Sequence, residues 1–187
     1  MPRHSRSWLK STVKDRDLRI WSAGCSTGEE PYSIAITMLE HFPGAMSADV
    51  KILATDIDTS VLEKGRNGIY TADAILDVPE ELIKKYFFRG KGANEGFFKA
   101  KDTLKKMVYF RRLNLLDEIY PMKGKFDLIF CRNVIIYFDR ETQQRLFGKF
   151  HAFLDDEGHL FVGHSETLTG LSTKFSLVSN SIYKKVV

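Results

Sequence analysis

The stretch WSAGCSTGEEPYS, residues 21–33, follows a run of apolar residues and leads into a helical pattern. Gly24 and Gly28 allow a tight turn and a close approach of the backbone to a ligand, and Pro31 suits the first turn of a helix. A buried strand that ends in a glycine turn and continues as a helix is typical of an α/β fold. Ligands of open parallel sheets bind beyond the carboxyl ends of the strands. The stretch therefore predicts a binding site at this turn.

The chemistry of the turn narrows the class of ligand. Its glycines are spaced Gly-x-x-x-Gly, which is neither the dinucleotide pattern Gly-x-Gly-x-x-Gly nor a P-loop with its lysine. Glu29 and Glu30 would repel a pyrophosphate but would attract a nucleoside that carries a positive charge, such as S-adenosylmethionine. On this stretch alone a second interpretation is equally good, in which the two acids only complement the positive end of the helix dipole.

Strands and helices alternate along the rest of the chain, which indicates a doubly wound, mainly parallel sheet with helices on both faces. Helices are predicted to start at about Pro31 and directly after Asp58 and Asp139, and the two aspartates are expected to cap theirs. The last two strands are predicted in FSLVSNSIYKKV, joined by a Ser-Asn-Ser turn. The other predicted strands cover residues 18–24, 50–58, 126–132 and 158–164.

One stretch interrupts the alternation. The runs YFFRG, GFFKAK and MVYFRRL are rich in aromatic and β-branched residues and surround the glycine-rich segment GKGANEG. They predict a small antiparallel β-subdomain, either a hairpin or a three-stranded sheet, inserted at about residues 84–113. Residues 1–17 are interpreted as an N-terminal tail or the remnant of a helix, and residues 18–187 as the α/β domain.

Composition is that of an ordinary globular protein, with 43% hydrophobic and 28% charged residues and a net charge of +4 among 187 residues. The basic residues come in pairs rather than in a long block, so nucleic acid is not an expected partner. No apolar run is long enough to span a bilayer, and no secretory signal opens the chain. Cys25 and Cys131 form neither a disulfide framework nor a metal-binding spacing. We expect a cytoplasmic protein with two reduced thiols and no metal.

Polar residues follow several predicted strands where a ligand would lie. Asp56 ends the second strand, and a carboxylate there can take both hydroxyls of a ribose. The side-chain amide of Asn114 and its neighbouring backbone could read an adenine edge, although a simple turn asparagine explains this residue better on its own. Arg132 and Asn133 form a polar pair between apolar runs, and Tyr137 follows four residues after Asn133. Such a pair is costly unless it is satisfied, so we expect it to face a ligand.

Several of these stretches together resemble the CheR-type chemotaxis receptor methyltransferases. The resemblance covers about residues 18–185. It implies a Rossmann-like domain that binds S-adenosylmethionine, releases S-adenosylhomocysteine, and methylates glutamate side chains on the cytoplasmic helices of chemoreceptors. It also implies that the β-subdomain docks on the receptor, in some members by adding a receptor tail peptide to its edge. The stretches are RIWSAGCSTGEEPYSIAI, ILATDIDTSVLEKGRNGIY, FRRLNLLD, FDLIFCRNVIIYFD and GHLFVGHSETL.

The resemblance also assigns roles to single residues. Gly24 and Glu30 would line the methionine end of the cofactor, with Glu29 as an alternative to Glu30, and Asp56 would hold the ribose. Tyr137 would stand near the departing methyl group, and Arg3 is either the family's active-site arginine or a residue of the tail, because Pro2 replaces the expected phenylalanine. Asn114 and Leu115 would bracket the adenine, and Cys131, Arg132 and Asn133 would close the far wall.

A methyl transfer to glutamate needs little further machinery. A glutamate is already ionised at neutral pH, so alignment and partial removal of water are enough. Two alternatives stay open: a methyltransferase that acts on a nucleic acid or a small molecule, and a truncated module that binds cofactor or receptor without methylating. The stretch RNVIIY lacks the prolines of many base-methylating enzymes, which argues against the first. We expect a monomer.

Overall fold

The computed structural model describes residues 17–42, 49–168 and 174–186. Five helices and ten strands, together with three short 3-10 turns, are defined in these ranges. The helices are α1 (Glu29–His41), α2 (Thr59–Asn67), α3 (Glu80–Tyr86), α4 (Asp102–Lys105) and α5 (Arg140–Phe153). The strands are β1 (Leu18–Ala23), β2 (Val50–Asp56), β3 (Ile69–Thr71), β4 (Phe87–Arg89), β5 (Phe97–Ala100), β6 (Val108–Arg112), β7 (Phe126–Cys131), β8 (Leu154–Val162), β9 (Phe175–Ser179) and β10 (Ile182–Lys185).

Seven strands form the main sheet in the order β6-β2-β1-β7-β8-β10-β9. The pairs from β6 to β8 are all parallel, and β10 is antiparallel to both β8 and β9. The chain moves outward from β1 through β2 to β6 and then returns to the other side of β1 at β7. The strand order therefore reverses between β1 and β7, which is where ligands of doubly wound folds bind.

Two apolar clusters cover the two faces of the sheet, as the alternating pattern predicted. One contains buried residues of α1 and α2, such as Met38 and Leu62, packed against Ile20 and Ile52. The other contains the buried face of α5, including Phe147, packed with residues such as Trp21 and Ile129. The prediction of a doubly wound, mainly parallel sheet is confirmed.

Two of the helix starts are capped by an aspartate side chain. The side chain of Asp58 accepts the backbone amide of Ser60, and that of Asp139 accepts the backbone amide of Thr142. Both predicted caps are confirmed. Helix α1 begins instead after Gly28, which has a left-handed backbone and no side-chain cap, so its first amides are left for other partners.

A small antiparallel sheet is present, with the order β3-β5-β4. Two of its strands come from the predicted runs YFFRG and GFFKAK, but the assignment of the third run, MVYFRRL, to this subdomain is wrong. MVYFRRL forms β6, which pairs in parallel with β2 in the main sheet, and the third strand is β3 from before α3. Val108 and Phe110 are buried in the apolar cluster that α1 and α2 cover, and this packing outweighs the aromatic pattern that resembled a hairpin.

None of the described helices is long and apolar enough to cross a membrane. The proposed division at residue 17 stays a prediction, because residues 1–16, including Arg3, lie outside the described ranges.

Candidate functional site

The glycine turn after β1 is attached to the end of β2. The amides of Gly24 and Cys25 both donate to the carbonyl of Thr55, at 2.8 and 2.9 Å, and Gly24 and Gly28 have φ angles of +76° and +96°. A Cβ on Gly28 would lie 2.9 Å from the Tyr70 hydroxyl. Glycine is thus required at Gly28 by both backbone angle and space.

The two neighbouring glutamates have different environments. Glu30 is half-buried and accepts the Ser22 hydroxyl at 2.8 Å, and its second oxygen lies 3.5 Å from the Arg132 guanidinium. Glu29 is exposed, and both its oxygens are within 2.7 Å of the Thr27 hydroxyl. Burial raises the pKa of Glu30, while the Ser22 hydrogen bond and the Arg132 charge act in the opposite direction. Glu30 is therefore the carboxylate held against the inner wall, where a cationic group would offset its cost of burial.

Asp56 lies at the end of β2 beside the glycine turn. One of its oxygens accepts the amide of Ser26 at 2.9 Å and the other accepts the amide of Asp58 at 3.1 Å. Each carboxylate oxygen can accept more than one hydrogen bond. The carboxylate is thus held in one orientation and retains acceptor capacity toward the cleft.

The loop after β6 carries Asn114 and Leu115. The Asn114 side chain donates to Asp117 and accepts the amide of Leu116, each at 3.0 Å. Its polar atoms already have partners within the loop, as the turn interpretation predicted. Leu115 is buried, and its carbonyl accepts the Tyr120 hydroxyl. Both residues line the cleft next to Asp56.

The opposite wall follows β7. Arg132 is partly exposed and faces Glu30, and Asn133 adopts a left-handed backbone with φ +58°. Cys131 is fully buried and belongs to the apolar cluster beneath α5, so its side chain does not line the cleft. Tyr137 is 79% exposed and stands at the cleft mouth.

These residues line two adjoining parts of one cleft at the reversal point of the sheet. The first part, about 660 Å³, contains Glu30 and Arg132, and the second, about 450 Å³, contains Asp56, Asn114 and Tyr137. Both parts share Gly24, Ser26, Asn133 and Val134. Together they form an elongated cleft with a carboxylate in each part, which fits a nucleoside joined to a cationic chain. Within the described ranges, no three His, Cys, Asp or Glu side chains come together as a metal site.

A separate pocket of about 400 Å³ lies over β2 and β6. It contains none of the predicted site residues. Its floor is apolar, and it is lined by the cationic residues Arg19, Lys51, Arg111, Arg112 and Lys123. A cationic pocket is a poor match for a ligand that itself carries positive charge, so the cleft beside Gly24 is the candidate site.

Glu166 was missed by sequence reasoning. It is only 6% exposed and accepts four backbone amides, three of them from residues 133–135 in the wall of the cleft. The available signal was an acidic residue just after a buried strand, in the segment GHSETL. His164 is exposed.

Comparison with known proteins agrees with this geometry. Residues 5–184 match the family model described as "CheR methyltransferase, SAM binding domain". The chain is 45% identical over 186 residues to a chemotaxis protein methyltransferase of Borreliella burgdorferi, covering 99% of this chain and 64% of the relative. It is 46% identical to chemotaxis protein methyltransferase 2 of Pseudomonas aeruginosa (91% and 60% covered) and 44% identical to the chemotaxis protein methyltransferase of Escherichia coli (89% and 58% covered). The chain thus spans about three fifths of the length of these relatives.

Proposed function

Because the chain belongs to the CheR methyltransferase family and spans its S-adenosylmethionine-binding domain, we propose that it transfers a methyl group from this cofactor to glutamate side chains of chemoreceptor cytoplasmic helices. The single observation that best supports the proposal is the elongated cleft with carboxylates in both parts, the half-buried Glu30 beside the exposed Glu29 in one and Asp56 in the other. This charge arrangement suits a cofactor that carries an ammonium and a sulfonium group. Relatives named chemotaxis protein methyltransferases support the setting in chemotaxis.

The residues of the cleft suit distinct parts of the cofactor. Asp56, fixed by the amides of Ser26 and Asp58, would accept the two ribose hydroxyls. Glu30 would face the ammonium group at the methionine end. Asn114 and Leu115 would bracket the adenine, through backbone and surface contact rather than through the Asn114 side chain, whose polar atoms are engaged.

The far wall would position the reacting end. Arg132 lies opposite Glu30, and Asn133 lines both parts of the cleft. Tyr137, at the exposed mouth, would contact the substrate side chain as it approaches the methyl group. Cys131 would contribute only packing behind the wall, since its side chain is buried.

The reaction requires mainly that the protein align the substrate carboxylate with the methyl group of the cofactor. S-adenosylmethionine supplies a methyl group already activated by the positive sulfur. A glutamate carboxylate is ionised at neutral pH, so an oxygen of the substrate can form the new O–C bond while the C–S bond breaks, and no proton has to move. The products are a glutamyl methyl ester and S-adenosylhomocysteine. The chain's contribution is to hold the reactants in line and exclude water.

The small sheet supports a separate role in receptor docking. Phe88 and Phe97 are 60% and 44% exposed on adjacent strands, and Arg89 and Lys99 lie on the same two strands. Exposed aromatic residues among cationic ones suit an acidic peptide segment. We infer that the surface formed by β3, β4 and β5 binds the receptor, including its tail peptide where one is present, and takes no part in methyl transfer.

A direct experiment compares radiolabelled methyl transfer from S-adenosylmethionine to three acceptors: a purified chemoreceptor cytoplasmic domain, RNA and DNA. We expect label on the receptor domain alone. Label on nucleic acid alone would favour a methyltransferase for a different substrate. Cofactor binding without label on any acceptor would favour a binding module.

A further inference from the structure

The Glu166 carboxylate is bound entirely by backbone amides. One oxygen accepts the amides of Asn133 and Gly163, at 3.0 and 2.6 Å, and the other accepts those of Val134 and Ile135, at 3.0 and 2.8 Å. Among the described residues, no basic side chain forms an ion pair with Glu166. Its charge is therefore compensated by four aligned N–H dipoles rather than by a cation.

Three of these amides are consecutive, which requires an unusual backbone. Asn133 has φ +58° and Val134 has a helical conformation. A left-handed residue next to a right-handed one turns successive N–H groups toward one point and forms a nest for an anion. Asparagine tolerates the left-handed region better than most residues, and the Glu166 carboxylate is the anion on which the three amides converge.

The loop that Glu166 holds is the wall shared by both parts of the cleft. Asn133 and Val134 line both parts, and Val134 packs so closely on Gly24 that a Cβ at that glycine would overlap it. The carbonyls of Val134 and Ile135 then accept the amides of Tyr137 and Phe138. The position of the loop therefore sets the distance from the glycine turn to the far wall, and it also sets the backbone position of Tyr137.

The space around Glu166 is also matched to this role. A Cβ on Gly163 would lie 2.6 Å from a Glu166 oxygen and 2.8 Å from the Asn133 side-chain oxygen. Gly163 thus leaves room for the carboxylate to reach the nest. The amide of Glu166 donates to the Gly163 carbonyl, which turns the chain after β8 back toward the loop.

We propose that Glu166 is a positioning residue for the cofactor: its carboxylate preforms the wall at residues 133–135, and it touches neither cofactor nor substrate itself. The proposal concerns the cofactor cleft of the proposed function. Its deciding readout is the binding of S-adenosylhomocysteine, which needs no methyl acceptor, so it can fail while methyl transfer to receptors is correct, and the reverse also holds.

The test uses the variant Glu166→Gln in the full chain. Its amide nitrogen cannot accept hydrogen bonds, so two backbone amides lose their acceptor. We expect the dissociation constant for S-adenosylhomocysteine, measured by calorimetry, to rise by roughly tenfold or more. The KM for S-adenosylmethionine should rise similarly while kcat at saturating cofactor stays within a few fold. The matched control is Leu104→Ala, a fully buried leucine of the other apolar cluster, which should lower the melting temperature and leave cofactor affinity unchanged.

Two further measurements apply even if Glu166→Gln folds poorly. Gly163→Ala keeps the Glu166 carboxylate but places a Cβ against it, and this variant should also weaken cofactor binding. Hydrogen exchange without cofactor should show protected amides at residues 133–135 in the wild type and faster exchange at these amides in both variants. The proposal is overturned if a folded Glu166→Gln or Gly163→Ala variant binds S-adenosylhomocysteine as the wild type does, or if Leu104→Ala weakens binding as strongly at equal loss of stability.

Discussion

The Asp56 carboxylate at the end of β2 accepts the backbone amide of Ser26 at 2.9 Å. The end of one strand thus shapes the glycine turn that follows its neighbour, β1. The same carboxylate is fixed on its other side by the amide of Asp58. A side chain held from both sides is preorganised for a ligand, and this reduces the entropy cost of binding.

Replacing Asp56 with alanine should weaken cofactor binding by roughly 1.5–3 kcal/mol, the scale of hydrogen bonds to a charged group. Calorimetry with S-adenosylhomocysteine measures this directly. The control is Asp58→Ala, which removes the cap of α2 and should cost about 1 kcal/mol of stability with little effect on affinity. Unchanged affinity in a folded Asp56→Ala variant would remove Asp56 from the site.

Glu30→Gln should separate stability from function. Burial raises the pKa of Glu30 above its ordinary value, so the ionised carboxylate costs folding free energy at neutral pH. Below the ordinary glutamate pKa this group is protonated in both the folded and the unfolded state, and the cost disappears. Glu30→Gln should therefore be more stable than the wild type at pH 7 and no more stable at pH 3, while it binds cofactor more weakly.

Chemical denaturation at the two pH values measures the stability difference. A variant that is destabilised at pH 7 would show that the contact with Arg132 outweighs the cost of burial. A variant with unchanged cofactor affinity would show that Glu30 does not face the cationic group.

The sequence could predict the half of the site that is local. A strand, a glycine turn and a helix start follow one another within residues 18–41, and Asp56 ends the adjacent strand. The spacing of apolar residues and the positions of the glycines were sufficient to predict these elements. Glu166 could not be found in this way, because its partners at residues 133–135 lie more than thirty positions away. The run MVYFRRL was assigned to the wrong sheet for the same reason. Whether an aromatic strand joins a hairpin or the edge of a larger sheet depends on the packing of Phe110, and the local sequence pattern carries no information about that packing.

The two cysteines should be free but slow to react. Burial raises the pKa of Cys25 to about 12 and also raises that of Cys131, so little reactive thiolate exists at pH 8. In the native protein, a thiol reagent should label neither cysteine rapidly. After denaturation without reductant, it should label both. Rapid labelling of the native protein would contradict the burial of the two thiols, and absence of labelling after denaturation would indicate a disulfide.

The small sheet can be tested with matched surface variants. Phe88→Ser should weaken binding to a receptor cytoplasmic domain or its tail peptide, because the exposed aromatic surface is lost, and should leave cofactor affinity unchanged. Leu177→Ser is the control, since Leu177 is 63% exposed on β9 at the far edge of the main sheet. If Phe88→Ser weakens cofactor binding and receptor binding persists, the division of roles between sheet and cleft is wrong.

Mapping the product on the acceptor shows directly which group receives the methyl. A chemoreceptor cytoplasmic domain is incubated with the protein and S-adenosylmethionine, digested, and analysed by mass spectrometry before and after mild alkali. We expect a mass gain of one methylene unit on glutamate side chains that alkali removes with release of methanol, and less of this product in Asp56→Ala at limiting cofactor. A methyl group that resists alkali, or one found on lysine, arginine or a non-protein acceptor, would contradict it.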